Sequence, residues 1–317
     1  PALAAAERPV VEVAATTARV RRAAEVDQRR FGVELEFFGV SPDAVMAGLV
    51  AAGLEAEFCE GRGASRKWRV KRDYTPNPQP IWELSSPPLK GAAGFDALKK
   101  ALKALRDVGA RTNIRTGLHV HHEARDLTVE HVFKLVSNYE SNRSNIEKVL
   151  SRSRNGQVNR YCGRWSSSDL QSLGRLVATN GIRELTMVGG KYKTVNVTVL
   201  PAYGTVEFRQ HQGTLAYKKV EAWVKFGQAM IAKAKTSAVM AAIGGVREFF
   251  EAVTPALTEF FVARAQALGN GAEAVRDAAA LAAEVVDGRI LPRDGDAASR
   301  ARMLAERLAR VSTAEVA

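Results

Sequence analysis

Phe31-Gly32-Val33-Glu34-Leu35-Glu36-Phe37 alternates between an apolar set (Phe31, Val33, Leu35, Phe37) and a second set that holds two carboxylates. Successive strand side chains point to opposite faces, so Glu34 and Glu36 project together. Two further runs repeat the pattern. In Gly117-Leu118-His119-Val120-His121 the two imidazoles share a face, and in Thr205-Val206-Glu207-Phe208-Arg209-Gln210-His211 so do Glu207, Arg209 and His211. A wet strand face ordinarily scatters Lys, Thr and Ser. These runs supply carboxylates, imidazoles and one guanidinium, the inventory for divalent metals and phosphate.

Working outward, Arg69, Lys71 and Asp73 alternate with Trp68, Val70 and Arg72, and Ile81, Glu83 and Ser85 alternate with Trp82 and Leu84. Residues 192–200 and 204–211 read as a strand pair joined through Pro201-Ala202-Tyr203-Gly204, which adds Thr194 and Asn196 to the polar face. Helices are expected between the strands. One starts at Ser41-Pro42-Asp43, one runs over 95–108, and a long one capped by Thr128 runs over 129–150. Another is expected from about 168 to 179, and beyond Leu215 the chain is Ala-rich and helical. His122 and His131 fall outside the pattern and read as surface or helix residues. The fold class is α+β, a mainly antiparallel sheet backed by helices on one side. The other face, which carries the ionisable residues, cannot be simple core.

The chain has 317 residues, 46% of them hydrophobic, enough for a substantial core. Three segments are expected: a flexible N-terminal arm (1–28), a catalytic domain (29–235) and a helical C-terminal region (236–317) packed on it. Two cysteines, Cys59 and Cys162, do not make a secreted disulfide framework and suit a reducing cytoplasm better. No apolar stretch approaches the roughly 18–20 residues of a membrane span, and charges at Glu7, Arg8 and Glu12 interrupt any signal-peptide core. The net charge of +12 gathers in the runs 62–72 and 143–164, which attract polyanions and leave a nucleic-acid partner open. No zinc-finger spacing, RNP signature or phosphate-binding Gly-rich loop accompanies that charge.

Several pieces, in this order, resemble the amidoligase family, a branch of the carboxylate–amine ligase superfamily that includes glutamate–cysteine ligase and glutamine synthetase. They are Phe31 to Glu36, Trp68-Arg69-Val70-Lys71-Arg72-Asp73, Glu83-Leu84-Ser85-Ser86-Pro87, Gly117 to His121, Arg160-Tyr161-Cys162, and the run from Thr205 through Gln212-Gly213-Thr214. Thr116 departs from the pattern where family members often carry Cys. The resemblance implies a glutamine-synthetase-like, funnel-shaped antiparallel sheet that binds ATP with Mg²⁺ or Mn²⁺. It implies an enzyme that phosphorylates a carboxylate and lets an amine displace the phosphate. Carried over by position, Glu34, Glu36, Glu83, Glu207 and His119 or His121 would hold metal, and Arg209 would hold the transferred phosphate. Asp73 would orient or deprotonate the amine, with Lys71, Arg160 and Asn196 as nucleotide contacts. The carboxylate and amine would be small molecules or carrier-borne. Two other functions fit the residues alone: a metal-dependent hydrolase built on His119 and His121, and a non-catalytic nucleic-acid-associated protein.

Overall fold

Phe31, Val33, Leu35 and Phe37 are all buried, whereas Gly32, Glu34 and Glu36 between them stay partly open, as one covered face and one open face require. This strand, β1 (Phe31–Phe37), is central in a sheet of the order β2-β3-β4-β1-β5-β7-β6. Its partners are β2 (Ala56–Phe58), β3 (Trp68–Asp73), β4 (Ile81–Ser85), β5 (Gly117–Glu123), β6 (Val195–Asn196) and β7 (Thr205–Gln212). All pairings are antiparallel except the short β2, which runs parallel to β3 at one edge. The computed structural model describes residues 28–60, 65–74, 79–157 and 159–269. The expected arm over 1–28 lies outside them but for Gln28, and the C-terminal helical region is described only as far as Gly269.

Helices cover the apolar face. They are α1 (Pro42–Ala51), α2 (Gly91–Asp107), α3 (Val129–Ser141), α4 (Arg143–Lys148), α5 (Ser167–Thr179), α6 (Leu200–Tyr203), α7 (Tyr217–Thr236), α8 (Val246–Val253) and α9 (Thr258–Gly269). Helix α2 buries Phe95, Leu98, Leu102 and Leu105 along one stripe, and Phe95 meets Phe31 of β1 with ring centroids 4.8 Å apart. Tyr139 of α3 packs on Phe208 of β7 and on Phe226 of α7. Phe226 in turn contacts Phe249 and Phe250 of α8 and Phe261 of α9, which seals the outer helices onto the core. Among the described residues no helix is long and apolar enough to cross a membrane.

The long helix expected over 129–150 is broken. Asn142 leaves helical geometry, and its buried side chain donates to Asn138 O and Ala241 O and accepts from Ile243 N. The amide thereby satisfies an irregular segment passing over the helix, and this wins over continuing the helix. The expected hairpin before β7 is also shorter: β6 has two residues, and α6 fills the connection. His122 is fully buried on the helix-covered face, not at the surface. Its ring meets Phe208 edge-on, and a Cβ at Gly227 of α7 would lie only 2.3 Å from its Nε2. Burial, with the charges of Arg29 and His121, pushes its pKa down to about 3, so it is neutral. His131 sits in α3, where it completes a capping box with Thr128.

A second departure matters more. Across β5 and β7, Val120 pairs with Phe208 and Leu118 with His211, so His119 faces both Arg209 and Gln210. This β-bulge shifts the alternation by one residue. His211 therefore turns to the covered face, where it packs on Trp223, and does not share a face with Glu207 and Arg209 as parity predicts.

Replacing Asn142 by Ala removes the three hydrogen bonds of a buried side chain, two of which hold Ala241 O and Ile243 N. Urea denaturation of Asn142→Ala should show a loss of about 1–3 kcal/mol, and a variant as stable as the parent would contradict the role given to this break.

Candidate active site

Register places the ionisable residues of the open face in transverse rows, since residues directly opposite on neighbouring strands share a face. One row runs Lys71, Glu83, Glu36 across β3, β4 and β1. The next runs Arg69, Ser85, Glu34, His119 across β3, β4, β1 and β5. The third runs His121, Glu207, Asn196 across β5, β7 and β6. Glu36 and Glu207, far apart in sequence, thus face the same way.

The rows converge. Glu34, His119 and Glu207 each offer a ligand atom, all within 4.8 Å of one another. His119 Nδ1 lies 3.7 Å from Glu34 and 3.5 Å from Glu207, and His121 Nε2 lies 3.8 Å from each. Lys71 Nζ is 2.7 Å from Glu83 and 3.9 Å from Glu34. Glu83, His119 and Glu207 are buried, so ionised forms here need close partners. Arg209 forms an ion pair with Glu207, and its Nε donates to Tyr161 O at 3.2 Å. Asn196 donates to the other oxygen of Glu207 at 2.7 Å while its own oxygen accepts from Thr198. It reaches the cluster through that carboxylate, which it holds in place.

Three expected residues stand further out. Glu36 accepts from Gly117 N at 2.7 Å and lies beside the buried Arg154. Asp73 ends β3, opposite Ile81 and one step beyond the Lys71 row. Arg160 is not brought to the carboxylates: its guanidinium lies over the Tyr161 ring and bonds its hydroxyl at 2.8 Å.

Arg154 is the residue that reading the sequence misses. It belongs to the basic run 143–164, yet it is buried and donates to Thr116 O. Gly117 makes room for it, because a Cβ there would lie 2.9 Å from the guanidinium. Its neighbours in the run are engaged as well: Arg164 pairs with Glu147 at 2.6 Å and Arg143 with Glu140 at 3.1 Å. The only signal for a buried role was the Gly117 that precedes the histidine strand, which marks close approach.

The charges are strongly coupled. Burial opposes ionisation of Glu34, but the close His119 and His121 imidazoles, with the charge of Lys71, outweigh it and hold the carboxyl well below the usual range. Glu83 is pushed up to about 7 by burial and by Glu34, against the pull of Lys71. Burial disfavours the His121 cation, yet Glu207 and Glu34 raise its pKa to about 9. Two carboxylates and an imidazole within reach of one point form a donor set suited to a hard or borderline divalent cation, so the residues fit a metal.

Both raised groups have the same consequence for metal-free protein. Between pH about 6.5 and about 9 the folded state keeps a proton on His121 that the unfolded chain has lost, and Glu83 does the same between about 4.5 and about 7. Where the native state binds more protons, stability falls as pH rises. The melting temperature measured in chelator should therefore fall as pH goes from about 7 to about 9. His121→Asn should flatten that slope, and a metal-free protein that is equally or more stable at the alkaline end would refute the coupling.

No curated protein matches the sequence. Among solved structures, the chain is similar to one described as a novel glutamine synthase homolog, with 13% identity and a TM-score of 0.40, covering 82% of this chain and 70% of that one. Residues 27–231 match the model of the family described as "Putative amidoligase enzyme". That span holds every strand of the sheet and every residue of the clustered face, and the chain belongs to this amidoligase family.

Proposed function

We propose that the protein is an ATP-dependent carboxylate–amine ligase that forms an amide bond through an acyl phosphate. The observation that carries this reading is the meeting of Glu34, His119 and Glu207 on one sheet face, with Arg209 bonded to Glu207. Glu34, His119 and Glu207 would hold Mg²⁺ or Mn²⁺, with Glu83, Glu36 and His121 around them. The bound ion would neutralise phosphate charge. Carboxylates outnumber imidazoles in this set, which favours those ions over zinc and hence a ligase over a zinc hydrolase.

In the first step a substrate carboxylate oxygen attacks the γ-phosphorus of ATP, the bond to the β-phosphate oxygen breaks, and ADP leaves. Charge spreads over the transferred phosphoryl oxygens, and a guanidinium fixed by Glu207 and Tyr161 O stabilises it with little reorganisation. Lys71, set between Glu83 and Glu34, adds a second cation on the same face. In the second step an amine attacks the acyl carbon, inorganic phosphate departs, and the amine's proton passes to a base. Asp73 suits that task by its position at the end of β3, beyond the Lys71 row. The carboxylate and amine are small molecules or groups borne on a carrier.

Calorimetry should detect ATP binding with Mg²⁺ or Mn²⁺ and lose it in EDTA; metal-independent binding would count against the proposal. Arg209→Lys keeps the charge but loses the fork. Phosphate release from ATP, with a carboxylate substrate and hydroxylamine as surrogate amine, should fall on the order of a hundredfold in this variant. Nucleotide affinity should change far less. Near-normal turnover in folded Arg209→Lys would remove Arg209 from the chemistry.

A further inference from the structure

Beside Arg209 the open face ends in a pair of tyrosines. Tyr192, in the segment between α5 and β6, is 43% exposed although its ring is large. Tyr161 stands edge-on to it, with centroids 5.5 Å apart and planes at 86°. The Arg209 guanidinium lies 5.7 Å from the Tyr192 centroid and the Lys191 ammonium 4.8 Å from it. Arg160 covers Tyr161 at 4.9 Å.

The backbone presenting Tyr192 is anchored. Its carbonyl accepts from Gly163 N at 2.7 Å, and Thr194 N donates back to Gly163 O at 2.9 Å. Next to it, Lys193 Nζ donates to Arg164 O at 2.8 Å and to Asp169 Oδ2 at 2.6 Å. The turn before it uses Gly189 and Gly190, both at positive φ, and a Cβ on Gly189 would come 2.8 Å from the Trp165 ring. A stiff backbone holding an aromatic ring in solvent gives up contact area in the free protein but loses little freedom when something flat covers the ring.

One side chain, Arg209, connects this ring to the carboxylate cluster: it bonds Glu207 and lies against Tyr192. A ligand with phosphate on Arg209 would lay an attached planar group over the tyrosines. The exposed Lys191 side chain would swing from the ring face toward the ligand's phosphates. We propose that Tyr192, buttressed by Tyr161, is the platform on which the base of the bound nucleotide stacks. Stacking of this kind accepts any base, because every base has a π-face. The inference rests on the nucleotide-dependent ligase reading above and adds to it the place of the base.

The test compares ATP with tripolyphosphate, which has the phosphates but no base. Each is titrated calorimetrically with Mg²⁺ into the parent protein, Tyr192→Ala and Tyr192→Phe. Tyr192→Ala should weaken ATP binding about tenfold and leave tripolyphosphate unchanged, while Tyr192→Phe, which keeps the ring, should match the parent for both. Unaltered ATP binding by Tyr192→Ala would overturn the platform and leave the ligase reading standing. Equal loss of ATP and tripolyphosphate would also overturn it, since Tyr192 would then act on the phosphate site and not on the base. A parent protein that binds neither ligand would defeat the ligase reading itself, and the platform with it.

Discussion

The register of β1 between its two neighbours is the constraint on which the site depends. Glu34 stands opposite both Ser85 and His119, and Glu36 opposite Glu83. A slip of one residue would send both carboxylates into the helical layer and bring Phe31, Val33, Leu35 and Phe37 to the open face. Burial of those four apolar side chains therefore fixes the facing of the carboxylates as well. The hydrophobic effect, which is indifferent to chemistry, places the charged residues.

What it places there is costly to hold. Buried carboxylates side by side disfavour one another's ionisation, and Glu83 registers this in its raised pKa. Lys71, His121 and Arg209 offset much of the cost from within the chain. Each of these cations touches a carboxylate that belongs to or adjoins the metal-ligand set. Polyphosphate and cation arriving together would bring both charges that the cluster's own groups balance.

Alternation made most of the sheet legible. Strands β1, β3, β4 and β5 follow parity throughout, and the rows of the site follow from it. Parity stops at the bulge opposite His119, where nothing in Arg209-Gln210-His211 announces an extra residue. The alternation counted from Glu207 thus assigned His211 to the wrong face. His122 misled for a related reason: an imidazole beside two ligand-like histidines looks polar, whereas its ring fills space left by Gly227. Arg154 was hidden in a basic run because charge density carries no information about burial. The break at Asn142 depends on a segment a hundred residues away, beyond the reach of any local pattern.

The bulge in β7 has a mechanical meaning. Of the two residues opposite His119, Arg209 faces the carboxylates and Gln210 bonds Tyr139 of α3, while the next residue, His211, lies on Trp223 of α7. Consecutive residues of one strand are thus gripped by two different layers. A shift of α3 or α7 that displaced Gln210 or His211 would be passed along the backbone to the peptide that carries the Arg209 guanidinium. Arg209 is thus one peptide away from a residue held by the helical core.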